Sequence, residues 1–139
     1  MEKKLLIYPT LLNILLVFLL YAKNLFDNRK AIKSKSIKMN YFKIYKGRVP
    51  DYIAVSRQTL KNQFELPIIF YFLISIILYF EQVFFIDLFL AWLFVLSRYV
   101  HAYVRLSSNR IKHRSITFQI GFYTLLFWFL KAIINVLFY

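Results

Sequence analysis

Four long apolar runs, separated by connections that are either short or strongly basic, constrain this chain more than any other feature. The first runs from Leu5 to Ala22, the length a helix needs to cross a hydrocarbon core of about 30 Å. The second, Leu66 to Phe80, is too short to cross alone and reaches the required length only if its helix starts near Ser56. The third, Val83 to Val104, contains Asp87, Arg98 and His101; the fourth, from about Ile116 to Tyr139, has Lys131 and Asn135 near its far end. A soluble domain could not hide this surface, because 60% of the 139 residues are hydrophobic and 21% are aromatic. The surplus must face lipid, since globular domains of this size run to only about 45–50% apolar. The sequence therefore predicts an all-α integral membrane protein of a single domain. It is expected to be a bundle of four transmembrane helices over about 5–22, 56–80, 83–105 and 115–139, with a basic loop over 23–55. A cleaved leader fits the first run poorly: the apolar stretch is long for one, and Tyr21-Ala22-Lys23-Asn24 lacks a small-x-small cleavage pattern.

The charge pattern supports the same picture. A net charge of +13 would suit nucleic acid if it formed one patch, but it sits in two connections between apolar runs. Nine Lys or Arg fall between Lys23 and Arg48, and a second group runs from Arg105 to Arg114. Basic connections of this kind set the direction of insertion, so no nucleic-acid partner is expected. The turn at Glu81-Gln82 and the residues up to Asp87 hold no Lys or Arg. Both basic loops are therefore expected on the cytoplasmic side, with the termini opposite, and the Lys/Ile/Phe-rich composition suits a bacterial inner membrane. The long basic loop interleaves Tyr and Phe with Lys, as in Tyr41-Phe42-Lys43-Ile44-Tyr45-Lys46. That pattern fits a segment lying along anionic headgroups and equally a solvated loop.

Charged residues inside a span cost about 2.5–3.5 kcal/mol at its centre, so they normally face the bundle interior. Arg57, Lys61, Asn62 and Glu65 fall within about 140° of arc if one helix carries them all. Arg98, His101 and Arg105, spaced i, i+3, i+7, share a stripe of the third helix. With Arg114 and Ser115 at the start of the fourth, these groups could converge on one polar cleft near the basic end. The plainer alternative is that they form ion pairs, such as Arg98 with Glu65, or reach out to the headgroups. The chain has no cysteine and two histidines, which gives no protein thiol nucleophile and too few ligands for a metal.

The stretch Arg57-x-x-x-x-Asn62-x-x-Glu65-x-Pro67 resembles the second-helix signature of the MAPEG proteins, the membrane-associated proteins in eicosanoid and glutathione metabolism. Arg98-x-x-His101, followed by Arg114-Ser115-x-Thr117, is similar to the corresponding third- and fourth-helix stretch of that family, and the likeness covers about residues 48–130. The resemblance implies a homotrimer of four-helix subunits that binds glutathione near the cytoplasmic face. On it, Arg114 takes the place of the arginine that holds the thiolate, with Ser115 beside it. Arg57, Lys61, Asn62, Glu65, Arg98, His101 and Arg105 become cofactor-binding candidates: guanidinium forks suit the two carboxylates, and an acid suits the amine.

The departures are specific. Arg105 and Phe118 stand where family members commonly have tyrosines. Arg57 is five residues before Asn62 where the family uses four, and Pro67 is two after Glu65 where it uses three. One residue rotates a helical side chain by about 100°, which turns Arg57 off the ligand and leaves Lys61 as a substitute cation or as a partner for Glu65. The expected activity is that of a glutathione-dependent transferase or peroxidase acting on a lipophilic electrophile that arrives through the membrane. The alternative is a non-catalytic protein of the same fold that binds lipid or serves as an assembly component. A pore is a poorer fit, because the polar residues gather at one membrane face.

Overall fold

The computed structural model describes residues 2–80 and 83–138, so the expected turn at Glu81-Gln82 and the terminal Tyr139 lie outside the described residues. Helix α1 covers Lys4–Lys33. It does not stop where the apolar run stops. No Pro or Gly interrupts the stretch from Lys23 to Lys33. Lys23 pairs with Asp27 one turn on, and the Asn28 amide donates to Asn24 at 3.1 Å. Pairs at this spacing sustain a helix in water, and they carry α1 roughly 16 Å beyond Ala22 at about 1.5 Å per residue. The first part of the expected loop is therefore helix. A single turn, α2 (Tyr41–Ile44), follows and ends on Tyr45 in the left-handed region, with φ of 51°.

The second crossing is two helices rather than one. Helix α3 spans Asp51–Lys61, a 3₁₀ turn takes up Asn62–Phe64, and α4 runs over Leu66–Tyr79. Pro67 explains the break, since it has no N–H to offer the preceding turn and its ring crowds the carbonyl four residues back. Glu65 takes up the change of direction at φ −104°, ψ −97°. The expectation that one helix runs unbroken through Pro67 is thus corrected. Helices α5 (Phe85–Leu106) and α6 (Ile111–Phe138) complete the fold. Among the described residues four segments, α1, α3 through α4, α5 and α6, are long and apolar enough to cross a membrane. Among the described residues there is no strand. The chain is an all-α integral membrane protein, a four-helix transmembrane bundle.

The core forms where α4, α5 and α6 meet. Phe70 stacks on Phe94 at 4.8 Å, with Trp128 at 5.9 Å, and all three are fully buried. Facing them, the outer surface is also apolar: Phe18, Phe72, Tyr79 and Phe127 point away from the bundle, as lipid as the surrounding solvent requires. Between membrane helices apolar burial gives little preference for a partner over lipid, so close approach and polar links fix the arrangement. Gly121 supplies the approach; a Cβ there would come within 2.9 Å of Ser97 Oγ. Polar links tie α1 in at mid-depth, where Asn13 donates to Tyr71 at 3.0 Å and Tyr99 donates to the Leu12 carbonyl at 2.7 Å. At the far end, buried Asp87 accepts from Trp128 Nε1 at 2.8 Å and from Lys131 Nζ at 2.6 Å, and it caps α5 by accepting the Phe84 N–H at 2.9 Å.

Candidate functional site

The predicted stripe on α5 turns inward as a unit. Arg98, His101 and Arg105 are 0%, 2% and 7% exposed, and each meets a different fate. His101 Nδ1 lies 3.1 Å from both the Arg114 carbonyl and Thr117 Oγ1. A carbonyl can only accept, so Nδ1 carries the proton in that contact. The imidazole thereby fastens α5 to the first turn of α6, which sets where Arg114 and Ser115 stand.

Arg105 is used up within the fold. Its Nε donates to Thr59 Oγ1 at 3.3 Å and one terminal nitrogen donates to Gln58 Oε1 at 2.8 Å, so it rivets α5 to α3. Asn62 sits between Arg105 and His101, and its amide has two possible orientations. In one, its nitrogen stands 3.5 Å from His101 Nε2. In the other, its nitrogen donates to the Gln58 carbonyl at 3.2 Å and its oxygen accepts from Arg105 at 3.3 Å. The second satisfies both ends of the amide, and the first is at the limit of a hydrogen bond. Arg105 then finds partners for its whole fork.

Arg98 finds none. Its Nε and both terminal nitrogens are buried without a hydrogen-bond partner among the described residues. The guanidinium carbon lies 5.9 Å from the Phe94 ring and 5.6 Å from the Phe118 ring, and aromatic faces compensate a cation only in part. The charge of Glu65 acts on Arg98 and on Arg105, yet among the described residues Glu65 makes no ion pair. The expected alternative of an Arg98–Glu65 pair is not formed. Arg98, Arg105 and Arg114 all bear electrostatically on the His101 ring, so three cations crowd one small volume with a single acid acting against them.

Arg114 is half-buried in the first turn of α6, where one terminal nitrogen donates to Asn109 Oδ1 at 3.1 Å. Asn109 is itself in the left-handed region, φ 47°, with its N–H on the Val104 carbonyl at 2.8 Å, so the short α5–α6 turn aims Arg114. Ser115 is exposed beside it and accepts from the Gln119 amide at 3.3 Å. No acid lies in this first turn. Cations there stand against the helix dipole, which favours an anion at an N-terminus.

The remaining candidates separate. Arg57 turns toward the basic loop, donating to the Tyr41 hydroxyl at 2.7 Å with its guanidinium 4.8 Å from the Tyr45 ring. Lys61 and Glu65 are exposed and do not pair with each other. The expected common face of Arg57, Lys61, Asn62 and Glu65 is not kept: α3 ends at Lys61 and the chain changes direction before α4, at Glu65, while Arg57 turns to the basic loop and Asn62 to Arg105. The structure thus gathers Asn62, Arg98, His101, Arg105 and Arg114. Ser115 stands at the edge, Glu65 acts at a distance, and Arg57 and Lys61 lie elsewhere. Sequence reasoning passed over Gln63, which is buried with both amide atoms unpartnered, and Gln58 and Thr59, which hold Arg105. Their signal was present: uncharged polar side chains bordering a span, each of which needs a partner there.

A bundle of four membrane-crossing helices with a cationic cluster where three of them meet defines an integral membrane protein with a buried polar site. The chain belongs to the MAPEG family, which it matches over residues 5–134. No curated protein and no solved structure matches it.

Proposed function

We propose that this protein is a glutathione-dependent membrane transferase or peroxidase, acting as a homotrimer on a lipophilic electrophile, with its basic end on the cytoplasmic face of a bacterial inner membrane. MAPEG proteins use glutathione. The observation that carries the reading is the uncompensated charge of Arg98, buried without a partner beside Arg105 and Arg114. A buried cation costs several kcal/mol unless an anion meets it, and a tripeptide with two carboxylates and a thiol supplies one. The residues fit that ligand with a division of labour. Arg98, fully buried, acts through its field; contact falls to Arg114, Ser115, Asn62 and Glu65.

Arg114 is the residue that prepares the nucleophile. A free thiol ionises at a pH of about 8.5, and a fixed cation favours its charged form. Glutathione would supply the sulfur; the Arg114 guanidinium would hold its negative charge and the Ser115 hydroxyl would donate to it. Arg105 and Phe118 bring no hydroxyl, so the thiolate depends on the Arg114 cation and the α6 N-terminus. An electrophile dissolved in lipid would have an apolar surface to rest on beside α6. An apolar recess of about 300 Å³ lies between α4 and α6, lined by Leu66, Ile69, Phe122, Leu125, Leu126 and Phe129. Phe122 is one turn from Phe118.

The test is a thermal melt of the purified protein with and without reduced glutathione, alongside a conjugation assay in liposomes. A ligand at about 100 times its dissociation constant stabilises the folded state by about 2.7 kcal/mol, so the melt should move up. Arg114→Ala should abolish conjugation while the oligomer elutes unchanged. If the unaltered protein shows neither stabilisation nor conjugation, the enzymatic reading fails and the non-catalytic, lipid-binding or assembly role takes its place.

A further inference from the structure

The segment between α1 and α3 is the most basic part of the molecule, and the structure shows it folded rather than loose. Ile37 and Tyr41 pack against Ala31 and Ile53 in a small core of their own. Arg57 then clamps the segment from α3 through the Tyr41 hydroxyl and the Tyr45 ring. With its inner side chains committed, the strap presents Met39, Ile44 and Tyr45 outward, at 67%, 67% and 53% exposure. Lys38, Lys43, Lys46 and Arg48 are exposed among them, and none has an acidic partner among the described residues. The one acid in the preceding stretch, Asp27, is buried and held by Lys23.

Depth decides what this surface meets. Arg105, near the end of the α5 span, donates to Thr59 of α3, so Thr59 marks roughly where the apolar core ends. Arg57 lies two residues further out, about 3 Å along the helix. The headgroup layer on each side is about 5–8 Å deep, and Arg57 falls within it. Arg57 reaches outward from that level to Tyr41 and Tyr45, which tethers the strap over the outer edge of the headgroup layer after α1 has carried the chain outward. Exposed apolar side chains alternating with unpaired lysines at that level match a surface that is negative above and apolar beneath.

We infer that residues 38–48 form a docking strap for anionic lipid headgroups, with Ile44 and Tyr45 inserting at the interface and Lys43, Lys46 and Arg48 meeting the phosphates. The inference is independent of glutathione chemistry.

Because the chain contains no cysteine, a polarity-sensitive fluorophore can be placed on Ile44→Cys in the full-length protein. Ser34→Cys, exposed at the outer tip of α1, serves as the aqueous reference. Both are compared in lipid nanodiscs of phosphatidylcholine alone and with added phosphatidylglycerol. The label at 44 should shift to the blue in the anionic discs and much less in the neutral ones, while the label at 34 stays water-like in both. The shift should disappear when Lys43, Lys46 and Arg48 are all changed to Gln. It should also disappear near 1 M salt, where the Debye length is about 3 Å. Two results would overturn the inference: a water-like label at 44 in both bilayers, or a blue shift that ignores lipid charge and salt.

Discussion

Near one end of α5, Asp87 is fully buried and accepts from the Phe84 N–H, the Trp128 indole and Lys131. Three turns along the same helix, Arg98 is as deeply buried and has no hydrogen-bond partner among the described residues. A membrane interior penalises either charge alone, so the difference separates two roles. The acid is compensated from within: it caps α5, ties α5 to α6 and holds the far end of the bundle together. The cation has no such compensation among the described residues. Compensation thus separates the polar residues that build this fold, Arg105 held by α3 among them, from one that the chain leaves unanswered, and the proposed glutathione site rests on that one.

The largest test of that division is Asp87→Ala. It leaves the Lys131 ammonium and the Trp128 N–H without an acceptor, and breaking a buried pair from one side costs about 3–5 kcal/mol. The melting temperature in detergent should fall steeply. Adding Lys131→Met to the same protein should recover part of the loss, because the orphaned charge goes with it. A small effect from Asp87→Ala would place the pair in water and erase the contrast.

Arg98→Met should do the opposite. Replacing even a paired buried ion by apolar residues is often neutral or stabilising by about 1–4 kcal/mol, and the unpaired Arg98 has no ion-pair attraction to lose. The ligand-free melt is expected to rise while the response to reduced glutathione shrinks or vanishes. If Arg98→Met instead destabilises as Asp87→Ala does, then Arg98 belongs with the builders and the proposed site loses its central cation.

Much of this could be read before the coordinates. Apolar run lengths and the placement of Lys and Arg are local signals, and they named the four crossings; the i, i+3, i+7 spacing put Arg98, His101 and Arg105 on one inward face because α5 is unbroken. The same reasoning put Glu65 on one face with Arg57, Lys61 and Asn62, since it extended one helical period through a segment that Pro67 divides. The α1 extension was hidden for a different reason: a charged, Asn-containing stretch reads as loop unless the i, i+4 pairs Lys23–Asp27 and Asn24–Asn28 are counted. Asp87 and Lys131 were each noticed near the far end, but their meeting depends on how two helices dock. The sequence holds no local trace of that.

The smallest expected effect probes the wall of the Arg98 site. Gly121 lets α6 lie close on α5, and an added Cβ would meet Ser97 Oγ at 2.9 Å and Arg98 at 3.8 Å. Gly121→Ala should cost about 1 kcal/mol, at the low end for overpacking, because the Ser97 hydroxyl can rotate away from its bond to the Phe94 carbonyl. The informative measurement is the double variant with Arg98→Met. If the glycine exists to pack the guanidinium away from lipid, the two changes are coupled by about 0.5 kcal/mol or more; if it serves only the helix crossing, their effects add. Strict additivity would detach Arg98 from the α5–α6 contact. Coupling would show that the helix packing and the uncompensated cation are one construction.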